Sequence, residues 1–315
     1  MDVLSDVLDN VRLTGSVFFL AEYREPWCLI APSSANYAGM LVPCARNLVV
    51  FHVIVEGRCM IGAADDRMVE LSCGDAILIA RGDEHVMTDR PGRDPTPLTD
   101  LLPYPPWDKP PSLSYGGNGR PVKVLCGYLH CADAALSPFM ATLPPFMRVD
   151  GSGSLGNSFA VARRLLIDEA MKQQPGYTSI LARLTETFFI EALRRHIATT
   201  GGEGPLHALA DPMVGKALEL MHAEPARDWS VEDLAREVAA SRSLFASRFA
   251  SLLGCPPMQY LARWRLQIAA RKLTEKAGSI AEVAAQVGYE SEAAFNRAFK
   301  RYMGAPPATW LGRRG

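Results

Sequence analysis

The 315-residue sequence contains no run of 18 or more consecutive apolar residues, which excludes a conventional membrane-spanning helix. Its opening, MDVLSDVLDNVRL, is acidic and amphipathic and lacks the basic start and apolar core of a secretory signal, so a cytoplasmic location is expected. Cysteine is scarce: seven residues, an odd number, follow no repeating spacing. That pattern argues against a disulfide framework and for reduced thiols. Net charge is almost missing, at -1 overall, yet it is unevenly spread. From Trp229 onward 13 Lys/Arg stand against 7 Asp/Glu, a balance of +6, while the preceding 228 residues hold 20 against 27, or -7. A basic C-terminal segment beside an acidic remainder suits a polyanionic partner.

What is present divides the chain into regions. The stretch NLVVFHVIVEG (47–57) is a β-branched run, and RMVELSCGDAILIARGDEH (67–85) holds two further strand-like runs broken at Gly74-Asp75 and Gly82-Asp83. Nine prolines and the run GGNG fall between Arg90 and Pro121, a segment predicted to form neither a helix nor a central strand. Strand signals resume at PVKVLCGYLHC (121–131). After Gly151 the period changes: 158–171 and 179–198 carry apolar residues at helical spacing and are separated by Pro175-Gly176, which predicts a helical hairpin. The break GGEGP (201–205) then precedes an all-helical remainder. The expected class is α+β: a β-rich domain over 1–150, a helical linker or dimerisation region over 151–205, and an all-α domain over 206–315.

The last region repeats itself. GCPPMQYL at 254–261 is echoed by GAPPATWL at 304–311, and Ser241, Phe245, Phe249, Gly254 and Tyr260 each match a residue 50 positions later: Ser291, Phe295, Phe299, Gly304 and Trp310. Each copy reads as a short helix, a tight turn and a second helix capped by the serine, with the two phenylalanines on its inner face. This spacing fits a helix-turn-helix, whose second helix enters the DNA major groove.

LAREVAASRSLFASRF, YLARWRLQIAARKL and IAEVAAQVGYESEAAFNRAFKRYMGAPPATW together resemble the DNA-binding domain of AraC-type bacterial transcription regulators. The resemblance implies two helix-turn-helix units joined by a rigid helix near Met258–Thr274, about 25 Å long. Such a helix would hold two recognition helices in successive major grooves about 34 Å apart. By the same resemblance, Arg242, Ser243, Ala246 and Ser247 would face promoter DNA from the first unit, and Glu292, Ala293, Asn296 and Arg297 from the second. Arg248, Arg263, Lys300 and Arg301 would contact phosphate, with Arg263 and Arg265 equally readable as solvated or ion-paired.

His52, Glu56, Gly74-Asp75, Gly82 and His85 resemble the two motifs of the cupin β-barrel, though Val50 stands where the first motif has a histidine and Ala80 where the second has a proline. The resemblance implies a barrel sensor holding a small-molecule effector near His52, His85 and Cys126, with the 90–121 segment as a lid. His52, Glu56 and His85 are an incomplete ligand set, so no metal and no cofactor are assigned. The parity of positions 126 and 131 puts the two cysteines on opposite strand faces, which disfavours a disulfide between them. The expected protein is a DNA-binding regulator rather than an enzyme, a homodimer through its N-terminal portion, acting with RNA polymerase as an activator or repressor. An oxidant- or metal-responsive regulator, and a cupin enzyme with a helical tail, are the alternatives.

Overall fold

The computed structural model describes residues 3–11, 13–43, 45–63, 68–102, 104, 105, 107, 111–131, 143–152, 157–172, 174–199 and 205–312. Cys44 and most of the GGEGP break lie outside the described residues. The chain separates into two compact units, one built from 13–131 and 144–200, the other from 1–12, 132–143 and 201–315.

The first unit is a sandwich of two sheets. Strands β1 (Leu13–Arg24), β3 (Val49–Glu56), β6 (Ala76–Ile79), β9 (Ser112–Gly116), β10 (Pro121–Cys131) and β11 (Phe146–Val149) form one sheet, in the order β11-β6-β3-β10-β1-β9. Strands β2 (Cys28–Ala31), β4 (Arg58–Gly62), β5 (Val69–Ser72), β7 (His85–Thr88) and β8 (Thr96–Pro97) form the other, in the order β5-β4-β7-β2-β8. Residues of alternating parity from both sheets, among them Phe19, Leu29, Ile54, Ile61, Ile77, Met87, Val124 and Cys126, share one buried core.

β3 is buried on both faces, which is why its sequence is a continuous apolar run instead of an alternating one. Its inward side carries Val50, His52 and Ile54, while Phe51 meets Phe188 of a covering helix at 5.3 Å between ring centroids. That cover is the helical hairpin α4 (Ser158–Lys172) and α5 (Tyr177–Thr199). Glycine makes the fit possible at two places: a Cβ on Gly15 would meet Thr185 of α5 at 2.7 Å, and one on Gly127 would meet the Phe51 ring at 2.2 Å.

The proline-rich segment departs from expectation in one respect. It contains a single helical turn, α3 (Leu98–Leu101), following the short α2 (Ala38–Leu41) in chain order. The turn fits because Pro97 sits at its N-cap, a position that has no helical N–H bond to lose. β9, also from this segment, lies at the edge of its sheet.

The second unit is helical: α1 (Val3–Val11), α6 (Val214–Ala223), α7 (Val231–Glu237), α8 (Arg242–Leu253), α9 (Pro257–Thr274), α10 (Ile280–Gln286), α11 (Glu292–Met303) and α12 (Pro307–Gly312). The repeat is realised atom by atom. Ser241 and Ser291 accept the backbone N–H of Leu244 and Ala294 as N-caps of α8 and α11, and both helices end on a left-handed glycine, Gly254 at φ +67° and Gly304 at φ +77°. Phe245 and Phe249 are fully buried, as are Phe295 and Phe299. Tyr260 packs edge-on against Phe249 and Trp310 edge-on against Phe299, so each aromatic after the Pro-Pro pair returns to its own unit. α1, whose Val3, Leu4, Val7 and Leu8 are buried, belongs to this helical unit, although it directly precedes β1 in the chain.

The two turns solve one backbone problem differently. Gly288 adopts φ +85°, whereas its counterpart 49 positions earlier, Ala239, is forced to φ +53° and is exposed. A Cβ in that region is strained. Ala239→Gly is therefore expected to raise stability by up to about 1 kcal/mol, the strain relieved exceeding the entropy a glycine adds to the unfolded chain. Gly254→Ala, at a site with no atom within 4 Å of the added Cβ, should lose about 1 kcal/mol from strain alone. Urea denaturation of the two variants beside the parent checks both signs.

Candidate functional site

The sandwich opens into a cleft with about 530 Å³ of empty space, its mouth included. β1 supplies Phe18 and Phe19, β3 Val50 and His52, β7 His85 and β10 Cys126. The proline-rich segment closes one side with Leu98, Thr99, Leu102, Tyr104, Pro105 and Trp107. No Lys, Arg, Asp or Glu is among the described lining residues.

His52, His85 and Cys126, singled out from sequence, are brought together. Cys126 Sγ lies 3.1 Å from His52 Nδ1, and His52 Nε2 lies 2.9 Å from His85 Nε2. His85 Nδ1 lies 2.9 Å from the carbonyl oxygen of Asp83. These contacts fix the protons. A carbonyl oxygen only accepts, so His85 Nδ1 donates to it and, in a neutral ring, His85 Nε2 must accept. His52 Nε2 then donates to His85, His52 Nδ1 accepts, and the Cys126 thiol donates to it. The result is a one-way line: Cys126 to His52 to His85 to the Asp83 carbonyl.

Burial keeps the line uncharged. It pushes His85 down to about 4, and His52 well below its ordinary value with the neighbouring His85 adding to the effect. Burial likewise pushes the Cys126 thiol well up, Cys59 reinforcing the shift. Glu56 takes no part: it pairs with Lys123 at 2.7 Å at the exposed end of β3. Cys126 and His85 occupy opposite nitrogens of His52, a line rather than a ring around a common point, and among the described residues no group of three or more His, Cys, Asp or Glu converges on a metal position.

The aromatic and aliphatic walls escaped the sequence reading. Phe18, Phe19 and Tyr37 carry no motif: the pairing of β1 with β10 brings Phe18 and Phe19 beside Cys126, and Tyr37 arrives from the turn before α2, its ring 5.9 Å from that of Phe18.

On the helical unit, α8 exposes Arg242, Ser243 and Ser247 and half-buries Ala246, while α11 exposes Glu292, Ala293, Arg297 and Lys300 and half-buries Asn296. Several of these side chains are already engaged. Arg242 pairs with Glu232 at 2.9 Å, and Asn296 Nδ2 reaches Glu292 at 3.4 Å. Arg248 holds Asp211 through Nε and Nη2, each at 2.9 Å, in a pairing that also ties down the start of α6, since Asp211 accepts the N–H groups of Met213 and Val214. Arg297 makes no ion pair among the described residues and extends from the open face of α11. Arg263 and Arg301 lie over the Tyr302 ring, each 5.7 Å from its centroid.

Arg265 has an internal role, which is neither the solvated nor the ion-paired one that the sequence suggested. From α9 it donates to the carbonyl oxygens of Pro225 at 2.6 Å, Arg227 at 2.7 Å and Gly288 at 3.2 Å. One guanidinium thus joins the loop before the first helix-turn-helix to the turn of the second. A Cβ on Gly288 would meet the Ala226 carbonyl oxygen at 2.6 Å, so these two segments are also in direct contact.

Comparison with known proteins agrees with this architecture. The family described as Cupin matches residues 2–198, and that described as Helix-turn-helix domain matches residues 234–313. A Streptomyces lividans protein named as an AraC-like transcription regulator is 31% identical over 269 residues, covering 84% of this chain and 87% of the relative. The HTH-type transcriptional regulator AlkR of Acinetobacter baylyi is 27% identical over 311 residues, covering 98% of each chain. The RCS-specific HTH-type transcriptional activator RclR of Escherichia coli is 31% identical over 193 residues, 60% of this chain and 68% of the relative. These relatives are regulators rather than enzymes, which sets aside the reading of a cupin enzyme with a helical tail. The chain, with its cupin sandwich and paired helix-turn-helix units, belongs to the AraC-like family of DNA-binding transcription regulators.

Proposed function

We propose that the protein is a one-component regulator whose promoter binding responds to an uncharged, largely apolar small molecule held in the sandwich cleft. The carrying observation is the cleft itself, apolar walls without a charged lining residue over a floor of neutral hydrogen-bonded side chains. An anionic ligand would lose its hydration and find no cation there, while an uncharged one gains from the aromatic walls. Closure by the proline-rich segment supports its reading as a lid. Effector binding would act by favouring one of two arrangements of the DNA-binding units, which requires only that the ligand bind those arrangements unequally. The direct passage of the chain from α1, in the helical unit, to β1, which walls the cleft, offers a covalent route between them.

On the DNA side, Arg297 is the strongest candidate for reading a base, with Ser243, Ala246, Ser247, Ala293 and Asn296 beside it on the two recognition helices. Lys300 and Arg301 suit phosphate. Arg242 would first have to leave Glu232, and Arg248 would have to leave Asp211, to reach DNA. The exposed Leu165, Met171 and Ile180 on α4 and α5 support pairing of two copies through this hairpin. Action through RNA polymerase, in the compartment that holds the chromosome, follows from the regulator reading.

Two outcomes are expected. Arg297→Ala should weaken specific promoter binding by about 1–3 kcal/mol in gel-shift titration and relax preference at a single base pair. Unchanged affinity and preference would remove Arg297 from the reading set. The second concerns pH. His52 and His85 are held neutral in the fold, and the folded value of His85 is about 4, so between roughly pH 6.5 and 4 the unfolded chain binds protons that the native chain does not. Stability of the isolated sandwich transition should therefore fall as pH drops through that window, by at most about 1.4 kcal/mol per pH unit for each histidine. His85→Gln should flatten the slope in urea titrations at stepped pH.

A further inference from the structure

Cys126 is not placed like an ordinary core cysteine. Of the described cysteines it alone has an imidazole nitrogen within hydrogen-bond distance, at 3.1 Å, and its sulfur lines the cleft. A nucleophile beside a base, with the base oriented by a third group, is the arrangement that prepares a covalent step. Here His52 is the base and His85 the orienting group, itself anchored on the Asp83 carbonyl.

We propose that Cys126 captures conjugated enones covalently, with His52 Nδ1 as the proton acceptor. The class follows from the cleft: the ligand should be neutral because no charged residue lines the walls, and planar and apolar because Phe18, Phe19, Tyr37 and Trp107 form them. The inference rests on the reading of this cleft as the effector site. In the step, the sulfur adds to the β-carbon of the enone and a C–S bond forms. The C=C π pair moves through the conjugated system to the carbonyl oxygen, giving an enolate. The S–H proton passes to His52 Nδ1, and the imidazolium then returns it to the α-carbon, leaving a saturated ketone thioether and a neutral His52. Nothing leaves, and no oxidant is consumed. While His52 is charged, its Nε2–H still donates to His85 Nε2, so the hydrogen-bonded line accommodates the transient cation without rearranging.

The resting state is also accounted for. The proton stays on sulfur until an electrophile arrives, so the site is quiet toward reagents that need a preformed thiolate. Cys73, which is exposed and bonds only the Val55 carbonyl, serves as an internal comparator.

The test uses the full chain and 4-phenyl-3-buten-2-one, with its saturated analogue 4-phenyl-2-butanone as the unreactive probe. Peptide mass mapping should show one adduct on Cys126, lost in Cys126→Ser. Its rate should be nearly flat from pH 6.5 to 8, because the acceptor is internal, whereas free cysteine in a parallel reaction, which adds through its thiolate, should react faster as pH rises. His52→Gln should slow the adduct by about 100-fold. If that variant fails to fold, the wild-type pH profile decides alone. An adduct confined to Cys73, or a Cys126 rate that climbs with pH as that of free cysteine does, overturns the proposal. Should the saturated ketone raise the melting temperature while no Cys126 adduct forms, covalent capture falls and the apolar cleft stands. If neither ketone binds, the cleft reading falls with it.

Discussion

A polar side chain buried among hydrocarbon must find a partner, and the sandwich is organised around satisfying that demand for three of them at once. Cys126, His52 and His85 sit on three different strands, β10, β3 and β7, drawn from both sheets. Their hydrogen bonds work only if β3 and β10 pair in the observed register, with His52 opposite Cys126, and if the loop before β7 presents the Asp83 carbonyl. A slip of one residue would turn His52 toward the covering helices and strip both the Cys126 thiol and His85 Nε2 of their partner, at a cost of several kcal/mol. The line therefore constrains register, holds the two sheets together at one point, and keeps the floor of the cleft uncharged.

The helical unit rests on a comparable fixed point. Two helix-turn-helix units can share one DNA face only if their relative orientation is held, and α9 alone would leave each free to pivot about its ends. Arg265 removes that freedom by bonding backbone carbonyls on both sides, and the close approach of Gly288 to Ala226 leaves no slack. The acceptors are main-chain oxygens, so the tie does not depend on which side chains read DNA.

These two fixed points differ in how far the sequence announced them. The repeat was legible because its parts are local: a capping serine, an i,i+4 pair of phenylalanines and a terminal glycine each act within one or two turns, and the same tokens recurred 50 residues later. His52, His85 and Cys126 were legible as residue types in a motif but not as a directed chain, since proton positions depend on contacts between residues 33 and 74 positions apart. Arg265 and Glu56 were ambiguous for the same reason. A charged side chain looks the same in sequence whether it ends on a carbonyl, as Arg265 does from the middle of α9, or on a surface lysine, as Glu56 does. Ala239 shows the converse: a residue with no turn signature holds a left-handed turn because the surrounding helices impose it.

The likeness of the two copies sharpens the meaning of their differences. Most of what shapes the unit is repeated, from the serine caps to the aromatic after Pro-Pro, the turn glycine excepted, while the outward positions diverge. Ala246 and Ser247 stand where the second copy has Asn296 and Arg297. Short side chains at those places can exclude or admit a groove but form few bidentate contacts, whereas Asn and Arg can each pair with two edge atoms of a purine. A scaffold that fixes two unlike readers at a set spacing recognises a site with a direction. On the proposed assignment of Asn296 and Arg297 as readers, turning that site end for end would place each helix over the wrong half, so a single chain would already give its promoter site a polarity.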